Sequence, residues 1–142
     1  MKLKLSTKVR YAMRLMLELA LHWGEGPIKL ELIAERQAIP LKYMRQIAYA
    51  LETSGLLISI RGPGGGYILS RPPGEISLLQ IVKSMGGSLS LVPCIDNPRY
   101  CERSNCCAAR ELWEEASSAL KSVFENKTLS DLSQRQIALG GV

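Results

Sequence analysis

The chain has 142 residues, 46% apolar and 22% charged, with a formal net charge of +5, which fits one folded domain with an extension and excludes a disordered or fibrous chain. No apolar run approaches the ~20 residues of a membrane span, and the opening MKLKLSTKVR lacks the apolar stretch and cleavage site of a secretory signal, so the expected location is cytoplasmic, with no membrane association. Residues 1–75 hold 11 Lys/Arg against 6 Asp/Glu and residues 76–142 hold 7 against 7, so the whole basic excess lies in the first half, as contact with phosphates there would require.

In chain order, residues 6–23 predict a helix. Ser6 or Thr7 can cap it, and Val9, Ala12, Met13, Met16, Leu19, Ala20 and Trp23 recur at helical spacing. Gly24, Gly26 and Pro27 end it. Its polar face carries Lys8, Arg10 and Arg14, and His22, the single histidine, sits near its end in a structural or surface role.

Leu30–Arg36 predicts a short helix with Leu30, Ile33 and Ala34 turned inward. After a break at Gln37–Pro40, Pro40 supplies a fixed φ that suits a helix start. Leu41–Thr53 then predicts a second helix with Met44, Ile47, Ala48 and Leu51 buried. Lys42, Tyr43, Arg45, Gln46 and Tyr49 stay outside that stripe. Two β-like runs follow, Leu56–Ile60 and Tyr67–Ser70, joined by a glycine-rich tip. Helix, turn, helix and hairpin is the order of a winged helix-turn-helix, which places one helix in a DNA major groove and the hairpin tip beside it. Lys42 and Arg45 can donate to guanine, Gln46 can pair with adenine, and Tyr43 can hold a phosphate or meet a thymine methyl. Arg61 can enter a narrow minor groove, while Gly62, Gly64 and Gly65 allow the wing backbone to approach the duplex closely. The tip is no nucleotide-binding loop, since no Gly-Lys-Ser/Thr follows and it joins two strands.

Arg71-Pro72-Pro73-Gly74 forms a rigid connector. Ile76–Met85 predicts a helix capped by Ser77, and residues 88–106 read as irregular. Cys107–Asn126 is the longest helix of the second half. Leu112, Ala116, Ala119 and Val123 make its apolar stripe, widened by Trp113, Leu120 and Phe124. So broad an arc exceeds what a small winged domain covers, and it suggests pairing with a second copy on a palindromic site. Thr128–Gln134 can add a short capped helix.

The expected fold is mainly α with a small β-hairpin: a winged helix-turn-helix plus a long C-terminal dimerisation helix. The expected divisions are 1–75 for DNA binding, 76–107 for a linking helix and cysteine loop, 107–134 for the dimerisation and terminal helices, and 135–142 as a loose tail.

All four cysteines, Cys94, Cys101, Cys106 and Cys107, fall within 14 residues. In a reducing compartment such a cluster points to metal or redox chemistry. No Cys-x₂-Cys pair exists for a zinc ribbon, whereas soft thiolates suit iron–sulfur clusters. Cys107 opens the long helix, whose positive end favours the thiolate. Free or disulfide-bonded loop cysteines without a cofactor are the alternative.

Together these residues resemble the family of winged-helix transcription regulators that includes IscR, NsrR, RirA and CymR, from about Leu5 to Leu132. The marks are the opening Leu5-Ser6-Thr7-Lys8-Val9-Arg10-Tyr11-Ala12, the helix entry Ile39-Pro40-Leu41-Lys42-Tyr43-Met44, the wing from Ile60 to Tyr67, and Cys101, Cys107 and Trp113 in their spacing. The resemblance implies a homodimeric repressor or activator. Its cysteine-bearing members hold a 2Fe–2S or 4Fe–4S cluster and respond to iron–sulfur status, nitric oxide or redox state. By position the cluster residues would be Cys94, Cys101 and Cys107. Wing Arg61 would enter the minor groove, and Lys42, Tyr43 and Arg45 would read the major groove.

Two positions depart from the pattern. Arg110 stands where some members place a ligating histidine, and Arg10 where others supply an aspartate from the partner chain. The fourth ligand is therefore open, with Cys106 the obvious substitute and Asp96, Glu102 or a small thiol as others. A cluster-free regulator, in which thiols or a partner protein carry the signal, is the first alternative. A thiol-dependent redox protein is a more distant one, because no Cys-x-x-Cys or nucleophile–base pairing is present.

Overall fold

The computed structural model describes residues 4–140. Helix α1 (Thr7–Leu21) is followed by α2 (Leu30–Gln37), α3 (Leu41–Thr53), strands β1 (Leu57–Ile60) and β2 (Gly66–Leu69), then α4 (Leu78–Ser84), α5 (Pro93–Asp96), α6 (Ala108–Asn126) and α7 (Leu129–Ala138). Single 3-10 turns lie at Pro73–Glu75, Pro98–Tyr100 and Ser104–Cys106. The fold is mainly helical with one antiparallel hairpin, as expected. Among the described residues no helix is long and apolar enough to cross a membrane.

Helix α1 starts where Ser6 accepts a hydrogen bond from the Val9 N–H, satisfying one of the free donors of the first turn. It stops at Leu21, two residues short of expectation. Trp23 consequently leaves the buried stripe and stands 46% exposed. The cause is tertiary: the chain turns through Gly24 and Gly26, both at positive φ, to bring Ile28 into antiparallel bridging with Tyr67. The hairpin thus gains an isolated bridge on the outer edge of β2 that residue patterning does not reveal. Leu15 and Glu18, outside the expected stripe, are both buried, because α1 is packed by α3 and β2 as well as by α4 and α7.

The α2–α3 unit matches its expected register, with Leu30, Ile33, Ala34, Met44, Ile47, Ala48 and Leu51 all buried. Its turn is set by Ala38, a left-handed residue at φ 52°, and by Arg14, whose guanidinium donates to the side chain and main-chain carbonyl of Gln37. Arg14, grouped with the polar face of the first helix, is thereby engaged with the end of α2 while staying exposed. Below it lies the Glu18 carboxylate, 2% exposed. It accepts from Arg36 at 2.8 Å and Gln37 at 2.9 Å, with His22 Nε2 at 3.7 Å. Such burial is tolerated only when the charge is fully paired.

The core continues past residue 75. Ile76, Leu78, Ile81 and Leu129 belong to the same buried cluster as α1–α3, and reciprocal main-chain bonds, Leu78 to Lys127 and Leu129 to Ile76, fasten the start of α7 beside α4. Ser77 caps α4 and Thr128 caps α7, each in a reciprocal capping box. Helix α7 runs to Ala138, so residues 135–138 are helical where a loose tail was expected. Regular spacing continues through Leu132, Gln136 and the buried Ser133, and packing on α1 extends the helix. Gly141 and Val142 lie outside the described residues.

Arg36→Ala removes the 2.8 Å partner of a buried carboxylate and should cost ~1–3 kcal/mol in urea denaturation. A second expectation concerns pH. The main-chain N–H and hydroxyl of Thr128 hold the Asp131 carboxyl below its usual range. A depressed folded-state pKa gives a contribution that is complete above the unfolded value and lost as pH falls through the folded one. The Tm difference between wild type and Asp131→Asn should therefore shrink below about pH 4.

Candidate nucleic-acid interface and cysteine loop

Lys42, Arg45, Gln46 and Tyr49 follow i, i+3, i+4, i+7 spacing and so share one face of α3. All four are exposed, on the side opposite Met44, Ile47, Ala48 and Leu51. Tyr49 is 71% exposed; nothing in the fold covers this ring, and residue patterning did not single it out as a contact. Its position one turn beyond Arg45 was the available signal. Arg45 lies 3.7 Å from Glu31 with both groups over 60% exposed. A pair so open to water contributes little, so Arg45 can exchange Glu31 for a base edge at small cost.

Tyr43 differs from its neighbours. It is half-buried against the core and meets Tyr11 edge-on, with centroids 5.6 Å apart and planes at 88°. Arg14 stands 5.8 Å from the Tyr11 ring centre. The Tyr11–Tyr43 contact locks the rotation of α3 against α1, and Tyr43 sits at the edge of the outer face.

The wing tip is a tight turn closed by the Gly65 N–H donating to the Gly62 carbonyl at 2.9 Å. Pro63 and then Gly64 at φ 78° occupy its centre, the residue choice of a type II turn. Arg61, Gly62 and Gly64 face solvent, but Gly65 is buried: a Cβ there would stand 2.1 Å from the Ile60 carbonyl oxygen. Of the three tip glycines expected at DNA, Gly65 therefore serves the turn and Gly62 and Gly64 form the outer surface.

On the far side, the loop from Gly87 to Cys107 lies along α6. Leu91 N–H donates to the buried Ser117 hydroxyl at 2.9 Å. The Arg110 guanidinium donates through Nε and Nη2 to the Cys94 carbonyl, each at 3.3 Å. Ser88 and Ser90 donate to the two oxygens of Asp96, and those bonds, the Ser90 one first, hold its carboxyl below the usual range. The Asp96 oxygens are thus engaged within the loop.

All four cysteines are free thiols, Cys94 and Cys107 half-buried and Cys101 and Cys106 exposed. Cys107 is the N-cap of α6, and its Sγ accepts from the Arg110 N–H at 3.4 Å. Among the described residues no three His, Cys, Asp or Glu side chains stand close enough together to hold a metal ion. The donor chemistry nonetheless fits an iron–sulfur cluster: four soft sulfurs on one loop, one at the positive end of a 19-residue helix. Holding a cluster requires the thiols to draw together. Neither Arg110 nor Arg10 can ligate, since a guanidinium keeps its protons.

The opposite side of α6 is uncovered. Leu112 and Val123 there are 55% and 52% exposed, Trp113 lies nearer the Ser117 side at 39%, and the one buried residue of the helix is Ser117.

A family model described as Rrf2, an iron-dependent transcriptional regulator, matches residues 5–135. The chain is 36% identical over 137 residues to the HTH-type transcriptional regulator IscR of Serratia proteamaculans (strain 568), covering 96% of this chain and 83% of that protein. Among solved structures it is similar to CymR, the global cysteine regulator of B. subtilis, with a TM-score of 0.81 and 37% identity, covering 94% of this chain and 98% of that one. Similarity to T. potens IscR gives 0.78 and 34%, covering 94% and 88%.

Arg61→Ala should weaken specific operator binding by ~1–3 kcal/mol in gel-shift titration. Unchanged affinity would remove the wing from the interface.

Proposed function

The chain belongs to the Rrf2 family of DNA-binding transcription regulators, not enzymes, and from that membership we propose that two copies act together on a palindromic operator under control of the cysteine loop. Helix α3 offers Lys42, Arg45, Gln46 and Tyr49 to the major groove, with Tyr43 at its edge, and the wing offers Arg61, Gly62 and Gly64 alongside. The basic excess of residues 1–75 supplies the sequence-independent attraction to phosphate. The stripe of Leu112, Ala119 and Val123, exposed, with half-buried Ala116 beside them, is the surface through which two copies pair.

The observation that carries the sensing role is that Cys107 caps the same helix whose apolar stripe is uncovered. Cys94, Cys101 and Cys107 would hold a 2Fe–2S or 4Fe–4S cluster, with the fourth position taken by Cys106 or a ligand from elsewhere. Bound there, the cluster supplies a redox- and nitric-oxide-responsive centre. The chain's own residues do the coupling: Cys107 binds through the atom that caps α6, and closure of Cys101 reshapes the loop resting on that helix. A change at the thiols thereby biases how two α6 helices, and the α3 pair they space, are set.

A second reading is favoured by the similarity to CymR, named a cysteine regulator. In it, two thiols lose two electrons and two protons to a peroxide as an S–S bond forms, or a partner protein docks and carries the signal.

Anaerobic purification followed by iron and sulfide analysis and visible spectra, with and without operator, separates the two. A coloured protein holding iron and sulfide, lost in Cys101→Ser, is the expected result. A colourless protein after anaerobic reconstitution overturns the cluster and leaves the thiol reading. The dimer has its own check. Leu112→Asp with Val123→Asp should convert a dimer to a monomer in sedimentation, and operator affinity should fall with it.

A further inference from the structure

We propose that Arg110 is a positioning residue that holds Cys94 and Cys107 in fixed relation and so makes them the preset half of the sensor. The inference rests on the reading of the cysteine loop as the sensor and adds a role for a residue that cannot itself be a ligand.

Arg110 occupies an unfavourable place for a cation. It lies in the first turn of α6, where the helix dipole repels positive charge, and its side chain is only 18% exposed. What offsets this is directional bonding. Nε and Nη2 both reach the Cys94 carbonyl at 3.3 Å, and Nη1 lies 3.6 Å from Glu114 Oε2 one turn along. The Cys94 carbonyl belongs to the short α5, whose turn is closed by Ile95 N–H to the Val92 carbonyl and Asn97 N–H to the Pro93 carbonyl, neither using it. Without Arg110 it would be an orphan acceptor of the kind every helix end leaves.

The same residue addresses the second thiol through its main chain, since the Arg110 N–H donates to Cys107 Sγ. Two cysteines thirteen positions apart are thus referred to one residue, one by the guanidinium and one by the peptide. Cys101 and Cys106 are exposed and receive no bond from α6; the Cys101 carbonyl accepts only from Ser104 within the loop itself. Arg110, Glu114 and Ser117 follow i, i+4, i+7 spacing, so the loop is fastened along one face of α6 at Cys94 and again at Leu91. Leu112, Ala116, Ala119 and Val123 fall on the opposite face by helical periodicity. Arg110 therefore sets the register of the thiol loop on the back of the helix whose front carries the apolar stripe.

The test compares Arg110→Ala and Arg110→Lys with wild type, using cysteine-resolved iodoacetamide labelling of reduced, metal-free protein followed by mass spectrometry. Cys94 labelling should rise about tenfold in R110A, the weight of a lost bond from a charged donor, with Cys101 labelling unchanged. R110K keeps the charge without the fork and should recover part of the protection. In protein reconstituted with iron and sulfide, R110A should also show an altered visible circular dichroism spectrum. Equal Cys94 labelling in wild type and R110A overturns the proposal. So does a joint rise at Cys94 and Cys101 with a lowered Tm, which marks general loosening of the loop. If R110A does not fold, the Cys94 to Cys101 labelling ratio of R110K decides. A wild type that takes up no iron, together with lost Cys94 protection in R110A, removes the cluster and leaves Arg110 in its role.

Discussion

A single buried carboxylate organises the reading head. Glu18 lies inside α1 with almost no water around it, and a charge there demands partners with good geometry. Both hydrogen-bonding partners come from the last two residues of α2, Arg36 and Gln37. Gln37 is bonded again by Arg14, so α1 grips α2 at the point where the helix-turn-helix turn begins. Tyr11 against Tyr43 adds a contact from α1 to α3. The apolar core holds these helices together in any rotation that buries Ile33, Met44 and Leu51. The polar contacts select one rotation, and with it the direction in which Lys42, Arg45, Gln46 and Tyr49 point.

Helix α6 has two working sides. The loop bearing the thiols is bonded to Arg110 and Ser117 on one side, and the apolar stripe is exposed on the other. Between them the helix touches α4, and its C-terminal end leads into α7, which returns to α1. A shift at the thiols thus has a contiguous packed route, through α6 and α4, to the helix that positions α3. The proposed regulation needs no other connection, although it does need two preferred settings of that route.

The wing shows how a tip built for flexibility is in fact constrained. Pro63 and Gly64 form the turn, and Gly66 passes Ile28 so closely that a Cβ would lie 2.4 Å from its carbonyl. The glycines serve three ends: an unusual φ, a close crossing of two chains, and an outer surface at Gly62 and Gly64. Composition alone allows positive φ and close approach anywhere in the run and does not say which glycine serves which end.

The sequence by itself determined the helices α2 and α3 with their buried faces, the hairpin and its turn, the Ser77 and Thr128 caps, the apolar stripe of α6 and the cysteine loop. Each depends on neighbours within about four residues, where periodicity, capping and turn chemistry act. Tertiary structure decided the burial of Leu15 and Glu18, the exposure of Trp23, the Ile28 bridge, the length of α7 and the work of Arg14 and Arg110. These residues find partners 16 to 39 positions away. Which partner a buried charge or a free carbonyl meets depends on which helix faces come together, and local pattern carries no record of that choice.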